Sequence, residues 1–385
     1  MLTFAGIPFK NPFVVASSPL TARVELLKEA EKAGAAAAST KLTFIRQPFY
    51  GKLRMYNNPR VGSIVCHDRR LDLKEGIDLV AKAKRTTSLV IFANITYEGP
   101  DLEGWARLGQ AMQEAGADLI EANLVCPNLG LTAARLGKTG HGGGALAGQN
   151  PELARQIARV LKEVVNIPVV CKLTPNVTDI AEVAWACREG GADAVTLAGA
   201  HLALPPVDIY HPEQVYPLLK GASFGSLGGP ACRLMGYAMV AQVASRTDVP
   251  IVGGGGIETW QHAVEYMMWG ATLVTACTSI MWHGWEVVTN IVRGIERFME
   301  EQGYSSYMEI VGKALPNLRP NVQLEPQPGF PRVDVQRCNA CGICLKPAHC
   351  KAISLQNGHA VISEAECYGC GICVALCPQK ALRLA

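Results

Sequence analysis

Residues 167–199 read IPVVCKLTPNVTDIAEVAWACREGGADAVTLAG. Two short apolar runs, 167–174 and 194–199, flank an amphipathic stretch over 178–190. A strand that is apolar on both faces belongs to a parallel sheet covered by helices, because nothing on it faces water. The turn Gly190-Gly191-Ala192-Asp193 supplies glycines where a helix must end in a left-handed residue. The unit recurs along the chain. Further apolar runs lie at 13–18, 35–44, 89–95, 119–125, 250–256 and 273–279. Amphipathic stretches at 24–33, 102–115, 151–165, 231–245, 258–269 and 284–300 separate most of them. Eight such units within about 300 residues predict a closed (β/α)8 TIM barrel in preference to an open doubly wound sheet. Ahead of them, residues 3–13 alternate apolar and polar around Gly6-Ile7-Pro8, which predicts a short hairpin.

The rhythm decays after about residue 304. Five prolines fall within 313–331, as in an extended, stiff connector. The expected division is a barrel over 1–312, a linker over 313–331 and a small module over 332–385. That module holds Cys338, Cys341, Cys344 and Cys350, then Cys367, Cys370, Cys373 and Cys377 followed by Pro378. Zinc bound by cysteines alone would use the same number of thiolates. The triple CxxCxxC step and the closing Cys-Pro instead follow the bacterial two-[4Fe-4S] ferredoxin spacing, in which the fourth cysteine of each run crosses to the other cluster. One cluster would take Cys338, Cys341, Cys344 and Cys377; the other Cys367, Cys370, Cys373 and Cys350. The first run departs from the pattern, with five residues before Cys350 and Lys351 after it, so Cys350 is the least secure ligand.

The 385 residues carry a formal net charge of +3 and are 49% hydrophobic. So small a charge excess argues against a nucleic-acid surface. No apolar run reaches the roughly 18 residues that a membrane-spanning helix needs. The N-terminus lacks a basic n-region, and Pro8 and Pro12 would break a leader helix. The six cysteines outside the module are scattered. Thiols beside oxygen-sensitive clusters point to a reducing cytoplasm.

Barrel chemistry sits on loops after the strands. Polar residues stand at nearly every strand end: Ser17, Lys41, Asn94, Asn123, Lys172, Asn176, His201 and Cys277 among them. Gly254, Gly255 and Gly256 follow the seventh strand, where backbone N–H groups can close on a phosphate. Gly229 and the turn at Cys277 and Thr278 would complete a cradle. Packing turns without a ligand are the alternative. Clusters need a partner that exchanges single electrons, and FMN combines that chemistry with a phosphate. Lys41 and Lys172 would then face the anionic edge of a reduced flavin; structural ion pairs are the other reading. Cys126 is placed to be a general acid, since a thiol with a pKa of about 8.5 holds its proton at neutral pH. Taken alone, it reads more readily as a small buried hydrophobe. The stretch 127–148, with Arg135, Lys138, His141, Gly142, Gly143 and Gly144, has the composition of a lid. No dinucleotide fingerprint follows a strand directly.

At these residues the chain resembles the dihydropyrimidine dehydrogenase family, within the wider family of dihydroorotate dehydrogenase barrels. The resemblance is carried by Asn11-Pro12-Phe13, Ala16-Ser17, Thr40-Lys41, Asn123-Leu124-x-Cys126-Pro127, Gly148-Gln149-x-Pro151-Glu152-Leu153, Glu189-Gly190-Gly191-Ala192-Asp193, Gly255-Gly256-Ile257 and the run KLTPNVTD at 172–179. It implies that Ser17, Lys41, Lys172, Gly229, Gly254, Gly255, Gly256, Cys277 and Thr278 hold FMN, that Asn123 meets substrate and that Cys126 is the general acid. By position, Asn94 joins the cofactor contacts, and Asn176 and His201 the substrate contacts. Electrons would come from NAD(P)H through a separate FAD-binding partner subunit in an oligomeric complex. The resemblance also implies an Asn-Thr pair after strand six that grips a pyrimidine ring. Gly199-Ala200 stand there instead, and another ring-binding asparagine is lost near Glu98. The expected activity is reduction, or reversible oxidation, of a C=C bond in a small cyclic substrate other than uracil; the basic lid and His201 suit an anionic one. Dihydroorotate-like oxidation, an electron-transfer scaffold without its own substrate, and an RNA-reducing flavin barrel are the alternatives; the near-neutral charge counts against the last.

Overall fold

The computed structural model describes residues 2–46, 51–99, 101–135, 137 and 143–384. Lys138, His141 and Gly142, three residues of the expected lid, lie outside them. The chain divides into two units, residues 1–318 and 319–385.

The first unit is a closed barrel of eight parallel strands: β1 (Phe13–Val15), β2 (Ala37–Ser39), β3 (Val90–Ile95), β4 (Leu119–Leu124), β5 (Val169–Leu173), β6 (Ala194–Leu197), β7 (Ile251–Gly254) and β8 (Leu273–Ala276). They pair in chain order, and β8 closes on β1 with Val274 opposite Phe13. All eight fall inside the apolar runs read from the sequence. Eight helices cover the barrel: α1 (Val24–Lys32), α2 (Leu73–Thr86), α3 (Glu103–Glu114), α4 (Pro151–Val164), α5 (Ile180–Glu189), α6 (Arg233–Arg246), α7 (Trp260–Met268) and α8 (Glu286–Gln302). Asp72 caps α2 in a capping box with Glu75, and Asp179 caps α5 through the N–H groups of Ala181 and Glu182.

Strand alternation sorts the side chains. Ile120, Ala122 and Leu124 pack outward against the helices, as do Cys171, Leu173, Val195 and Leu197. Leu119, Val170, Ala194, Phe92 and Ala37 form one apolar layer inside the barrel. Two residues further along each strand the inward positions turn polar: Glu121, Lys172, Thr196, Asn94 and Ser39. The N-terminal hairpin, Leu2–Phe4 paired with Ile7–Phe9, seals the apolar layer. Its turn uses Ala5 and Gly6, both at positive φ, and Phe9 meets Phe92 edge-on with ring centroids 6.2 Å apart.

The rhythm did not foretell a four-stranded sheet beside the barrel. It joins Arg54–Asn58 and Gly62–His67, from the β2–α2 connection, to His201–Ala203 and Gly225–Gly228, from the β6–α6 connection. These strands are short and mix glycine, polar and apolar residues, so no period stands out. The run 273–279 also ends early: Thr278 opens a short helix, Thr278–His283. Residues 312–314, where the barrel passes into the proline-rich region, lie against α7, and Gly312 and Ala314 donate N–H groups to Met267 and Met268 carbonyls at 2.9 and 3.0 Å.

The second unit has two antiparallel pairs, Pro331–Val333 with Leu382–Leu384 and Ile353–Gln356 with His359–Ile362. Asn357-Gly358 makes the tight turn of the latter, both at positive φ. The sequence Cys-Gly-Ile-Cys occurs at 341–344 and again at 370–373, and both glycines take φ +74°. A left-handed residue at that point lets the chain wrap two thiols round one centre.

Candidate active site

The polar layer inside the barrel opens onto a cavity of about 220 Å³. Ser17, Lys41, Asn123, Cys126, Lys172, Gly229, Gly255, Gly256, Cys277 and Thr278 all line it. These belong to seven different strand-to-helix connections or strand ends, so the closed barrel alone brings them together.

Lys41 and Lys172 are buried, at 5% and 7% exposure. Lys41 Nζ is paired with Asp68, and Lys172 Nζ lies 3.7 Å from Glu121 Oε2. Burial, helped by the nearby Arg70 and opposed by Asp68, pulls the Lys41 pKa down to about 8. Its proton is therefore held more weakly in the folded than in the unfolded chain. Between pH 8 and the ordinary lysine value of 10.5 the unfolded state binds more protons, so stability attributable to Lys41 rises with pH. Flavin-free protein should gain stability relative to Lys41→Met across that window, by on the order of 3 kcal/mol. Parallel melting curves at pH 7.5 and pH 10 check this; a constant Tm difference between the two proteins would exclude it.

Glu121 is a buried carboxylate on a strand that otherwise reads as apolar, and it organises the layer beneath the cavity. It accepts from Ser39 Oγ, Asn94 Nδ2 and, at 2.8 Å, Thr196 Oγ1. Asn94 Oδ1 in turn accepts from Asn123 Nδ2 at 3.0 Å. Asn123 Oδ1 accepts the N–H groups of Val125 and Cys126 at 3.0 and 3.2 Å. The turn that presents Cys126 is thus fixed from below. It is fixed from above by the Ala145 N–H, which donates to the Cys126 carbonyl at 3.1 Å. Gly144 sits so close that a Cβ there would lie 2.4 Å from that carbonyl.

Four expected contacts lie elsewhere. Asn94 is fully buried one layer deeper, its amide taken up by Ser39, Glu121 and Asn123. Gly254 ends β7 inside the wall, with its carbonyl accepting from Tyr266. Asn176 Oδ1 accepts the Leu202 N–H at 2.8 Å, and its Nδ2 donates to the Ala200 carbonyl at 3.2 Å. It holds the chain after β6 and does not face the cavity. His201 does not line the cavity; it stands opposite Leu227 in the side sheet, its buried Nε2 has no partner among the described residues, and burial lowers its pKa.

The glycine turns pass a steric test. Gly229, Gly255 and Gly256 have φ of +102°, +112° and +71°. A Cβ on Gly256 would lie 2.7 Å from the Gly229 carbonyl, and one on Gly229 would lie 2.8 Å from Gly62 Cα. The two turns close on each other backbone to backbone in the cavity wall, a form that suits a phosphate held by backbone amides. Asn128 adds a polar atom suited to a ligand. Its Nδ2 donates to the Cys66 carbonyl at 2.9 Å, but its buried Oδ1, at the cavity wall, has no partner among the described residues.

The family model described as dihydroorotate dehydrogenase matches residues 1–299. The chain belongs to the dihydroorotate dehydrogenase family. It is 33% identical over 313 residues to the catalytic subunit of dihydroorotate dehydrogenase B (NAD(+)) of Pyrococcus abyssi, covering 80% of this chain and 97% of that one. It is 29% identical over 361 residues to the NAD-dependent dihydropyrimidine dehydrogenase subunit PreA of Escherichia coli, covering 89% and 84%. A 4Fe-4S binding domain model matches residues 360–383. The protein is therefore an oxidoreductase with the flavin barrel of the dihydroorotate dehydrogenase family and an iron–sulfur module. No helix among the described residues is long and apolar enough to cross a membrane.

In that module Cys338, Cys341, Cys344 and Cys377 line one small pocket. Burial first, and then the neighbouring Cys338, Cys341 and Cys377, raise the Cys344 thiol pKa. Cys373 is raised in the same way, by burial and then by Cys367, Cys370 and Cys344. Backbone amides already point at sulfur: Ala360 to Cys338, Gly369 to Cys367 and Ala381 to Cys377, at 3.3–3.4 Å. Such N–H···S bonds offset thiolate charge around a cluster. Among the described residues no group of three His, Cys, Asp or Glu side chains is close enough to hold a single metal ion.

Sequence reading overlooked Asp68, Arg70, Glu121 and Asn128. Glu121 could have been found, because a carboxylate at an inward position of an apolar strand is costly unless paired. Asp68 and Arg70 sit in a run of charges that reads as a solvated turn.

Proposed function

We infer that this chain is the catalytic subunit of a flavin and iron–sulfur oxidoreductase acting on an activated C=C/C–C bond of a small, cyclic substrate. The observation that carries this reading is Cys126 in the wall of the same cavity as Lys41, Lys172 and the glycine cradle. Ser17, Lys41, Lys172, Gly229, Gly255, Gly256, Cys277 and Thr278 would hold FMN. When bound, it supplies hydride transfer and exchanges single electrons with two [4Fe-4S] clusters, one on Cys338, Cys341, Cys344 and Cys377, the other on Cys350, Cys367, Cys370 and Cys373.

The chain's own residues do the rest. Lys41 and Lys172 set positive charge against the reduced cofactor. Asn123 holds the Cys126 turn. Cys126 gives a proton to one carbon of the double bond, and takes it back when the reaction runs in reverse. Electrons enter from an NAD(P)H- and FAD-binding partner subunit, as the subunit naming of the relatives supports. Gly199 and Ala200 line the cavity without a side-chain amide, which argues against uracil. The test is NAD(P)H oxidation by the complex purified with its partner, over a panel of unsaturated rings and acids. Turnover of none of them, with flavin and iron present, rules the reading out.

The cradle makes its own prediction. Gly256→Ala places a Cβ at a left-handed φ and against the Gly229 carbonyl. FMN affinity should fall by about 1–3 kcal/mol, read as flavin fluorescence released on dilution. Affinity equal to that of the parent would remove the phosphate from this turn.

A further inference from the structure

The glycine turn after β7 is held from behind by a side chain that the sequence does not single out. Tyr266 lies on α7 and is fully buried, at 0% exposure. Its hydroxyl oxygen lies 2.9 Å from the Gly254 carbonyl, 2.8 Å from the Gly255 carbonyl and 3.3 Å from the Arg233 carbonyl at the start of α6. A phenol has one proton, so these oxygens share it in a bifurcated bond. Burial first, and then Tyr237 and Cys232, push the Tyr266 pKa well above the ordinary phenol value, so the group is a donor at any working pH. Room for the hydroxyl comes from α6, where a Cβ on Gly236 would lie 1.8 Å from it. The ring meets Tyr237 edge-on, with centroids 4.6 Å apart. A phenylalanine could fill this slot, but only a tyrosine can anchor two successive carbonyls of the cradle.

Both peptides of this turn are trans. In a trans peptide the C=O and the following N–H point in opposite directions. With the Gly254 and Gly255 carbonyls turned to Tyr266, the N–H groups of Gly255 and Gly256 are turned away from it. Gly255 and Gly256 line the cavity, whereas Tyr266 does not. The Gly256 N–H is bonded to no described residue. We propose that Tyr266 is the positioning residue of the phosphate site: its one hydroxyl fixes two peptide planes of the turn with their N–H groups toward the cavity, ready for a phosphate monoester. The proposal rests on the flavin-binding reading above and deepens it. Tyr266 acts through the turn and meets neither cofactor nor substrate. Three successive glycines, 254–256, leave the backbone little preference of its own for either orientation of these peptides. Without the hydroxyl, two buried carbonyls lose their donor and the planes are free to turn.

The test compares FMN with riboflavin, which differ only in the phosphate, by measuring the affinity of each for the full-length chain stripped of flavin. Tyr266→Phe keeps the ring and removes the hydroxyl. It should weaken FMN binding about 10- to 100-fold and leave riboflavin binding at the parent level, so the preference for FMN collapses. Gly236→Ala drives the hydroxyl from its slot and should lower the same preference. Tyr237→Phe removes a neighbouring hydroxyl that donates to Glu265, not to the turn, and should leave the preference unchanged. An unchanged preference in Tyr266→Phe overturns the proposal. An equal loss for both flavins also overturns it, because a packing role alone would produce that result. If Tyr266→Phe does not fold, Gly236→Ala is read by the same two criteria. A parent chain that binds FMN no more tightly than riboflavin removes the phosphate from the glycine turn, and the proposal with it. A parent chain that binds neither ends the flavin reading itself.

Discussion

Cys126→Ala is expected to stop substrate turnover while leaving the flavin reducible. The thiol lies in the cavity wall, and its turn is fixed by Asn123 from one side and by the Ala145 N–H from the other. Both contacts use the backbone of residue 126 or its neighbour, so the substitution removes the sulfur without freeing the loop. A positioned general acid is worth roughly 10²–10⁴-fold, and kcat should drop by that factor. Flavin content, and the rate at which the partner or dithionite reduces the flavin, should stay at the parent level. Cys126→Ser keeps a donor of much higher pKa and should recover only a small part of the rate. A scaffold that merely passed electrons would lose nothing in either variant. Unchanged turnover in Cys126→Ala would assign the proton to another group and take the central element of the proposed mechanism away.

The second large effect is in the module. Cys377→Ala removes a sulfur that the fold brings beside Cys338, Cys341 and Cys344 from the other end of the unit. With three thiolates left, that cluster should be lost or degraded, and iron should fall from about eight to about four atoms per chain. Reduction of the flavin by the NAD(P)H-linked partner should collapse, whereas reduction by dithionite should persist, because the barrel has its own core. Cys350→Ala tests the other set in the same way. Iron retained in full after Cys350→Ala would mean that a different side chain closes the second site. Zinc in place of iron in protein prepared without air would end the electron-transfer reading altogether.

Much of this architecture could be read from the chain itself. Apolar runs such as VVCKL and AVTL are covered on both faces, so their pattern is short and unbroken, and each became a barrel strand. The cysteine spacing named the module for a related reason: a cluster fixes how far apart its thiolates may be along the chain. The site was legible only where a residue type was unusual for its place, as with Lys41, Lys172 and the glycine runs. Asn94 and Asn176 were unusual in the same sense, yet they serve the frame. Alternation puts Asn94 a layer too deep, and Asn176 turns to the backbone of residues 200–202. Arg70 gave no signal, since its neighbours Asp68, Arg69 and Asp72 make a charged turn. It reaches the cavity after the Gly62–His67 strand, whose mixed sequence shows no period.

That side sheet has a mechanical consequence. Gly62–His67 and Gly225–Gly228 are joined rung by rung, from Ser63 against Gly228 to Val65 against Ser226. Met55, Ser63, Val65, Ser226 and Leu227 also face the cavity. Two excursions nearly 160 residues apart in sequence therefore form a single rigid flap. Neither can swing outward alone to admit a molecule without tearing those rungs, so any gating of the mouth must carry both excursions together about shared hinges at their roots.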